Sequence, residues 1–364
     1  MVFERFFQDF RARPFSAWQI EITTRCPLAC RMCVRQGIEQ WQRADMPLSD
    51  FGRLAVQFTH VENVILQGWG EPLLHPDLLG IIRAAKSVRR PPAVGFVTSG
   101  KGLNEASCRE LVLSGLDFIG FSFAGATAPV HEGIRVNSDF EELVEGVKSL
   151  EAEKRRRRSE RPKIHLVFLM LKENMRDLPL LPALARGLDV PQIVLINLIQ
   201  VTTEWQEAQK VFRCDGRSEF EELLSDTVAR ARERGVSVRR PLLTGCEAAV
   251  CEEDPLRNLY VSVHGEVAPC VFLHPPAAGT FPRIFCGKRS DTALVSFGNL
   301  FRQQIGDIWN SGAYREFRGR FEERSSRAGG QPFMPESVAE SPGRGSRLPE
   351  APGPCRTCHK ILGL

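Results

Sequence analysis

The chain has 364 residues, 43% hydrophobic and 25% charged, a balance ordinary for a globular protein that can bury a core without disulfide staples. Its net charge of +4 is too small to argue for a nucleic-acid partner. No apolar run reaches the roughly 18 residues needed to span a bilayer, and residues 1–15, an N-terminal extension, mix Phe with Arg, Glu and Asp where a signal peptide would be apolar, so a cytoplasmic protein is expected.

Residues 18–23 (WQIEIT) alternate apolar and polar side chains and predict a first strand. Short apolar runs at 63–67, 93–98, 118–123, 163–171 and 192–199, each bounded by Gly, Pro or polar residues, predict five more. Helical stretches fall between them at 49–59, 77–88, 104–114, 139–153 and 176–186. Ser49 suits an N-cap, Gly115 a C-cap, and Phe140, Leu143, Val144, Val147 and Leu150 recur at helical spacing. Such β–α repetition implies a parallel sheet with helices outside. Six units are too few to close an eight-stranded barrel. The expected fold over 16–200 is therefore α/β, a partial (β/α)6 TIM-like barrel.

Residues 201–245 read as a helical linker, with 218–234 the clearest helix. A smaller module follows over 246–364. Residues 259–263, His264-Gly265 and 266–271 read as a β-hairpin. Residues 305–321 read as a helix with Ile305, Ile308, Trp309 and Phe317 on its apolar side. Residues 322–354, rich in Gly, Pro, Ser and Arg, read as a disordered insertion.

Eleven cysteines, an odd number without a secretory signal, argue for metal binding rather than a disulfide framework. Cys26-Pro-Leu-Ala-Cys30-Arg-Met-Cys33 follows the first strand, and parallel α/β folds gather their ligands at such strand ends. Three thiolates this close can wrap one face of an iron–sulfur cube and leave one iron without a protein ligand. Zinc asks for a fourth ligand, and the nearest histidine, His60, is far outside the loop. A second set comprises Cys246, Cys251, Cys270, Cys355 and Cys358. Cys108, Cys214 and Cys286 have no partner at metal spacing and read as packing residues. His75 and His131 read as hydrogen-bonding residues, and 154–158 (KRRRR) as a solvated turn rather than a nucleic-acid patch.

The C-x3-C-x2-C loop after the first strand resembles the radical S-adenosylmethionine (SAM) superfamily. There a [4Fe–4S] cluster, chelated at its open iron by SAM, cleaves SAM reductively to a 5′-deoxyadenosyl radical. The resemblance extends to Gly68-Trp69-Gly70-Glu71-Pro72, similar to the GGEP-type motif that holds the SAM amino group, and to Thr98-Ser99-Gly100. It also takes in Ser122 with His131-Glu-Gly-Ile-Arg135, and Asn174, all positions implied to contact SAM. Two departures are Met32, where relatives carry an aromatic residue, and Trp69 between the two glycines.

Cys251-x13-Gly265-x4-Cys270, the stretch Ile308-Trp309-Asn310 to Arg318, and Cys355-x2-Cys358 resemble a SPASM or twitch domain. That resemblance implies one auxiliary [4Fe–4S] cluster on Cys251, Cys270, Cys355 and Cys358, with Cys246 a fifth candidate. A four-thiolate zinc site fits the same residues. Cys355-Arg-Thr-Cys358-His359 formally matches c-type haem attachment, a ligation at odds with a cytoplasmic chain. The expected function is a radical SAM maturase acting on a peptide, a protein or a cofactor-bearing substrate, with a flavodoxin or ferredoxin as reductant. The rivals are tetrapyrrole side-chain modification and a non-catalytic iron–sulfur electron carrier or redox sensor. No residue stands out as a catalytic base.

Overall fold

The computed structural model describes residues 13–329 and 348–364. The expected N-terminal extension up to residue 12, and residues 330–347 of the expected insertion, lie outside the described residues. Seven strands run parallel in chain order: β1 (Phe15–Ile20), β2 (Val61–Ile65), β3 (Ala93–Thr98), β4 (Phe118–Phe123), β5 (Lys163–Met170), β6 (Gln192–Asn197) and β7 (Ser237–Arg239). Beyond β1, β8 (Asn258–Val261) adds in parallel and β9 (Val267–Ala268) closes the far edge antiparallel. The C-terminal module thus continues the barrel's own sheet.

Six helices cover the outer face of this sheet. Leu48–Ala55, Leu78–Lys86, Glu105–Leu113, Phe140–Arg157, Leu181–Gly187 and Glu221–Glu233 bury their apolar stripes there. Asn104 and Asp139 cap two of them, accepting from the amides of Ser107 and Glu142. On the outer face Phe96, Ile119, Phe121, Phe123, Leu166 and Phe168 are fully buried. The alternate side chains of the same strands, Val97, Phe118, Ser122, His165, Val167 and Leu169, are only half-buried. They face the concave side of the open barrel. Glycine is required there: a Cβ on Gly95 would lie 2.3 Å from the Phe118 ring.

Five local differences separate the structure from the sequence expectation. Lys172–Leu180 is a 3₁₀ segment carrying Pro179, and the helix begins only at Leu181. The linker supplies a strand, β7, as well as helices. The helix expected over 305–321 is two, Ile305–Trp309 and Gly312–Arg327, because Ser311 caps the second by accepting from the Tyr314 amide. That second helix runs into the stretch expected to be disordered, because Phe321 and Arg324 on it are buried. A further hairpin, β10 (Thr280–Phe285) with β11 (Lys288–Ala293), turns at Cys286 and Gly287, both with positive φ. The arginine run ends the helix Phe140–Arg157 and is absorbed in ion pairs, Arg156 and Arg157 with Glu153 and Arg155 with Asp189.

Arg324 holds the C-terminal module together. Its side chain is fully buried and donates to the carbonyls of Ala248, Ala249 and Pro349 and to the Glu247 carboxylate. Arg324→Ala removes all of these bonds at once and leaves the carbonyls of Ala248, Ala249 and Pro349 without their donor. It is expected to cost about 1–3 kcal/mol, read as a lower denaturant midpoint with earlier proteolysis of the C-terminal module; an unchanged midpoint would refute the assignment.

Candidate active site

Because β1 to β5 are parallel, the segments after them share one edge of the barrel. The Cys26–Cys33 loop follows β1 and rests on the stretch after β4: the amides of Ala29 and Arg31 donate to the carbonyls of Val136 and Ile134, both at 3.0 Å. Cys30 is buried, whereas Cys26 and Cys33 are half-buried. Leu28, Cys30 and Met32 pack with Ala124, Val130, Ile134, Leu171, Leu198 and Ile284. Met32 therefore fills the place an aromatic ring would take. Three side chains without a counterpart in the sequence expectation fasten the loop's backbone. Arg35 donates to the carbonyls of Cys26 and Leu28, Gln36 to that of Cys30 at 3.1 Å, and Gln206 to that of Cys33 at 3.0 Å.

Burial pushes the Cys26 thiol up to about 11 and raises that of Cys30, while the Arg35 guanidinium works the other way on both. Thiolates in this loop need cationic company, which suits a site for iron.

The Gly68–Pro72 loop after β2 lies on the same edge. The Glu71 amide donates to the Arg25 carbonyl at 2.8 Å, next to Cys26. Gly70 has no room for a side chain, since a Cβ would lie 2.2 Å from the Thr23 carbonyl oxygen. The Glu71 carboxylate is buried and spoken for: it accepts from the Thr98 hydroxyl at 2.5 Å, the Ser99 amide at 2.7 Å and the Leu73 amide at 3.2 Å. Glu71 and Thr98 thus hold the loop, and the buried Pro72 starts a 3₁₀ turn. Beneath the loop, the Glu21 carboxylate accepts from the Trp69 amide at 2.8 Å. Burial pushes this carboxyl up to about 7.

Ser122 and Arg135 differ in kind from these. The Ser122 hydroxyl has no protein hydrogen-bond partner among the described residues, and the Arg135 Nε is buried without one. Both are polar groups at the same edge with capacity to spare, as a ligand site requires. Asn174 does not qualify, contrary to its expected contact with SAM. It is fully buried, donates to the carbonyls of Ala124 and Leu169 and accepts from the Leu171 amide. His75 and His131 act through hydrogen bonds, His75 with Met46 and Asp77, His131 by accepting from the Ala124 amide.

A second site lies in the C-terminal module. Cys251, Cys270, Cys355 and Cys358 line one small cavity with Glu253, Phe272 and Lys360. Burial raises all four thiols, Cys355 to about 12; Cys355 and Cys358 raise Cys251 and Cys270 further, and Arg283 opposes the rise at Cys355 and Cys358. Four half-buried thiols lining one cavity fit a tetrathiolate metal centre. Cys246 is excluded from it: its thiol is exposed and does not line the cavity, and its amide bonds the Leu362 carbonyl. With Cys355 and Cys358 facing two other cysteines, a thioether-linked haem has no place. Cys108 is buried in the core, as expected, but Cys214 and Cys286 are joined in a disulfide.

Residues 20–181 match the family model of the radical SAM superfamily, and residues 251–330 match that of an iron–sulfur cluster-binding domain, SPASM. The chain is 28% identical over 305 residues to the tungsten-containing aldehyde ferredoxin oxidoreductase cofactor-modifying protein of Pyrococcus furiosus, covering 82% of each chain. It is 26% identical over 322 residues to the PqqA peptide cyclase of Granulibacter bethesdensis, covering 82% of this chain and 75% of that one. In fold it is similar to Streptococcus suis SuiB bound to S-adenosylmethionine, with a TM-score of 0.63 at 13% identity over 86% of this chain and 70% of that one.

Glu21 makes stability pH-dependent in a defined direction. The folded protein keeps a proton that the unfolded chain releases above its ordinary value of 4.5, so stability is lost as pH rises towards 7. Glu21→Gln removes this dependence. Between about pH 5.5 and 8 the parent should lose roughly 2 kcal/mol more than the variant, measured by urea unfolding of the metal-free proteins; parallel pH profiles would exclude the raised carboxyl.

Proposed function

We propose that this chain, which carries a radical SAM domain followed by a SPASM domain, holds a SAM-cleaving [4Fe–4S] cluster on Cys26, Cys30 and Cys33 and a second one on Cys251, Cys270, Cys355 and Cys358. When bound, the first cluster and SAM supply a 5′-deoxyadenosyl radical that abstracts a substrate hydrogen. The observation that carries the reading is the meeting, on one barrel edge, of the three-cysteine loop, a glycine loop bonded to it through Arg25, and two polar groups left free.

Each part of the chain has a separate task. Arg35, Gln36 and Gln206 keep the cysteine loop in shape by holding its carbonyls. Glu71 ties the Gly68–Pro72 loop to the end of β3, so that the backbone around Gly70, rather than the Glu71 carboxylate, faces the amino group of SAM. Arg135 and Ser122 bind the polar remainder of SAM. The half-buried concave face above His165 and Val167 shelters the reacting centre from water.

The substrate we assign is a peptide, a protein or a metallocofactor undergoing maturation. Support comes from relatives named for cofactor modification and for peptide cyclisation that align with this chain over most of both lengths. The SPASM match favours iron–sulfur over zinc at the second site. A flavodoxin or ferredoxin serves as electron donor, and the reaction takes place in the cytoplasm; among the described residues no helix is long and apolar enough to cross a membrane.

Anaerobic reconstitution should load about eight irons per chain and, with SAM and dithionite, yield 5′-deoxyadenosine. Changing Cys26, Cys30 and Cys33 to Ala should remove about four irons and all SAM cleavage. Cys355→Ala/Cys358→Ala should remove the other four and leave cleavage in place. Retained cleavage in the first variant, or an iron content unmoved by the second, would sink the corresponding assignment.

A further inference from the structure

Two cysteines outside both cluster sets are bonded to each other. Cys214 lies between the helices Glu204–Gln209 and Glu221–Glu233, and Cys286 at the turn of the β10–β11 hairpin, 72 residues away. Both are half-buried, so solvent protons reach them. A ring nitrogen of His359 and the two sulfurs all lie within 4.8 Å of one another. His359 is itself fixed: Nδ1 bonds the Ile199 carbonyl at 3.1 Å, and Nε2 accepts from the Cys286 amide at 3.4 Å. The rings of Phe212 and Phe285 flank it, with centroids 5.0 and 5.2 Å away.

This position is next to the four-cysteine cavity. His359 directly follows Cys358, so one residue separates the disulfide from a cavity-lining thiol. Arg283, three residues before Cys286, donates to the carbonyls of Phe272, which lines the cavity, and of Pro354, which precedes the cavity-lining Cys355. The hairpin also reaches towards the other site, where Ile284 belongs to the apolar cluster that includes Leu28, Cys30 and Met32. A purely structural cross-link is poorly placed here. Radical SAM chemistry calls for a strongly reducing donor, and half-buried sulfurs beside an electron-carrying centre are not insulated from it.

We propose that the Cys214–Cys286 disulfide is a two-electron redox centre that takes its electrons through the cluster held by Cys251, Cys270, Cys355 and Cys358. The inference rests on the second-cluster reading above. Opening breaks the S–S bond and consumes two electrons and two protons to give two thiols. The electrons come one at a time from a low-potential donor of the ferredoxin or flavodoxin class, and the protons from solvent. Opening also releases the hairpin tip from the barrel edge.

The test uses the anaerobic holoenzyme, reduced stepwise with photoreduced deazaflavin, alkylated and mapped by peptide mass spectrometry. Cys214 and Cys286 should be closed before reduction and alkylated after it. The holoenzyme should take up two electrons per chain more than the Cys214→Ser/Cys286→Ser variant, which keeps its iron and its 5′-deoxyadenosine formation. Cys355→Ala/Cys358→Ala should slow opening by deazaflavin about tenfold or more, while a phosphine opens the bond at the parental rate. Free thiols before reduction, a bond that stays closed with both clusters reduced, or equal opening without the second cluster would each overturn the proposal. Iron content and 5′-deoxyadenosine measured on the same samples separate this outcome from failure of the cluster reading itself.

Discussion

The carboxylate of Glu71 joins three strand ends. Its own amide reaches Arg25 after β1, it sits after β2, and its oxygens take the Thr98 hydroxyl and Ser99 amide at the end of β3. A buried carboxylate is costly unless its lone pairs are filled, and here the three ordered donors fill them. The result is a rigid edge on which the cysteine loop and the glycine loop cannot shift independently. Everything that acts on SAM is referred to that edge, and the parallel sheet brings β4 and β5 to the same side.

The barrel was legible in the sequence because its signals are local. Residues 93–98 and 118–123 read as strands and are strands, since both are short runs rich in Phe and β-branched residues between turn residues. The Cys26–Cys33 loop and Gly68–Pro72 were legible because each is one continuous segment. Roles set by distant partners were not legible. Asn174 looks like a ligand in a polar turn, yet its amide is consumed by Ala124 and Leu169. Arg35, Gln36 and Gln206 look like surface residues, and only folding turns them onto the loop's carbonyls; Arg35, two residues beyond Cys33, is the one that proximity could have singled out. The β10–β11 hairpin escaped because its outer strand, KRSDTA, has no apolar alternation, although Gly287 marked the turn.

The second module is an extension of the first. β8 pairs with β1 in parallel through Ala17 to Ile20, directly before the cysteine loop. Trp69, the residue that departs from the usual glycine pair, then becomes intelligible. Its ring packs edge-on against Phe272, at a centroid distance of 6.0 Å, and Phe272 lines the four-cysteine cavity. A glycine in its place would leave a gap between the two sites. The Trp69 amide is held from below by Glu21, so the loop can carry a large side chain without losing its own geometry.

The two cysteine sites meet the same electrostatic difficulty in the same way. Burial opposes thiolates at both, raising Cys26 to about 11 and Cys355 to about 12. At each, a guanidinium held by backbone carbonyls stands close: Arg35 by those of Cys26 and Leu28, Arg283 by those of Phe272 and Pro354. An arginine anchored on carbonyls keeps its charge and its place whether or not the thiols are ionised. It can therefore favour the thiolates from a fixed position. Arg283 lies on the β10–β11 hairpin, beside Ile284, which touches the first site, and close to the hairpin's cross-linked tip. The charge compensation of the second site is thus carried by the element that contacts the first, so any movement of that hairpin alters both.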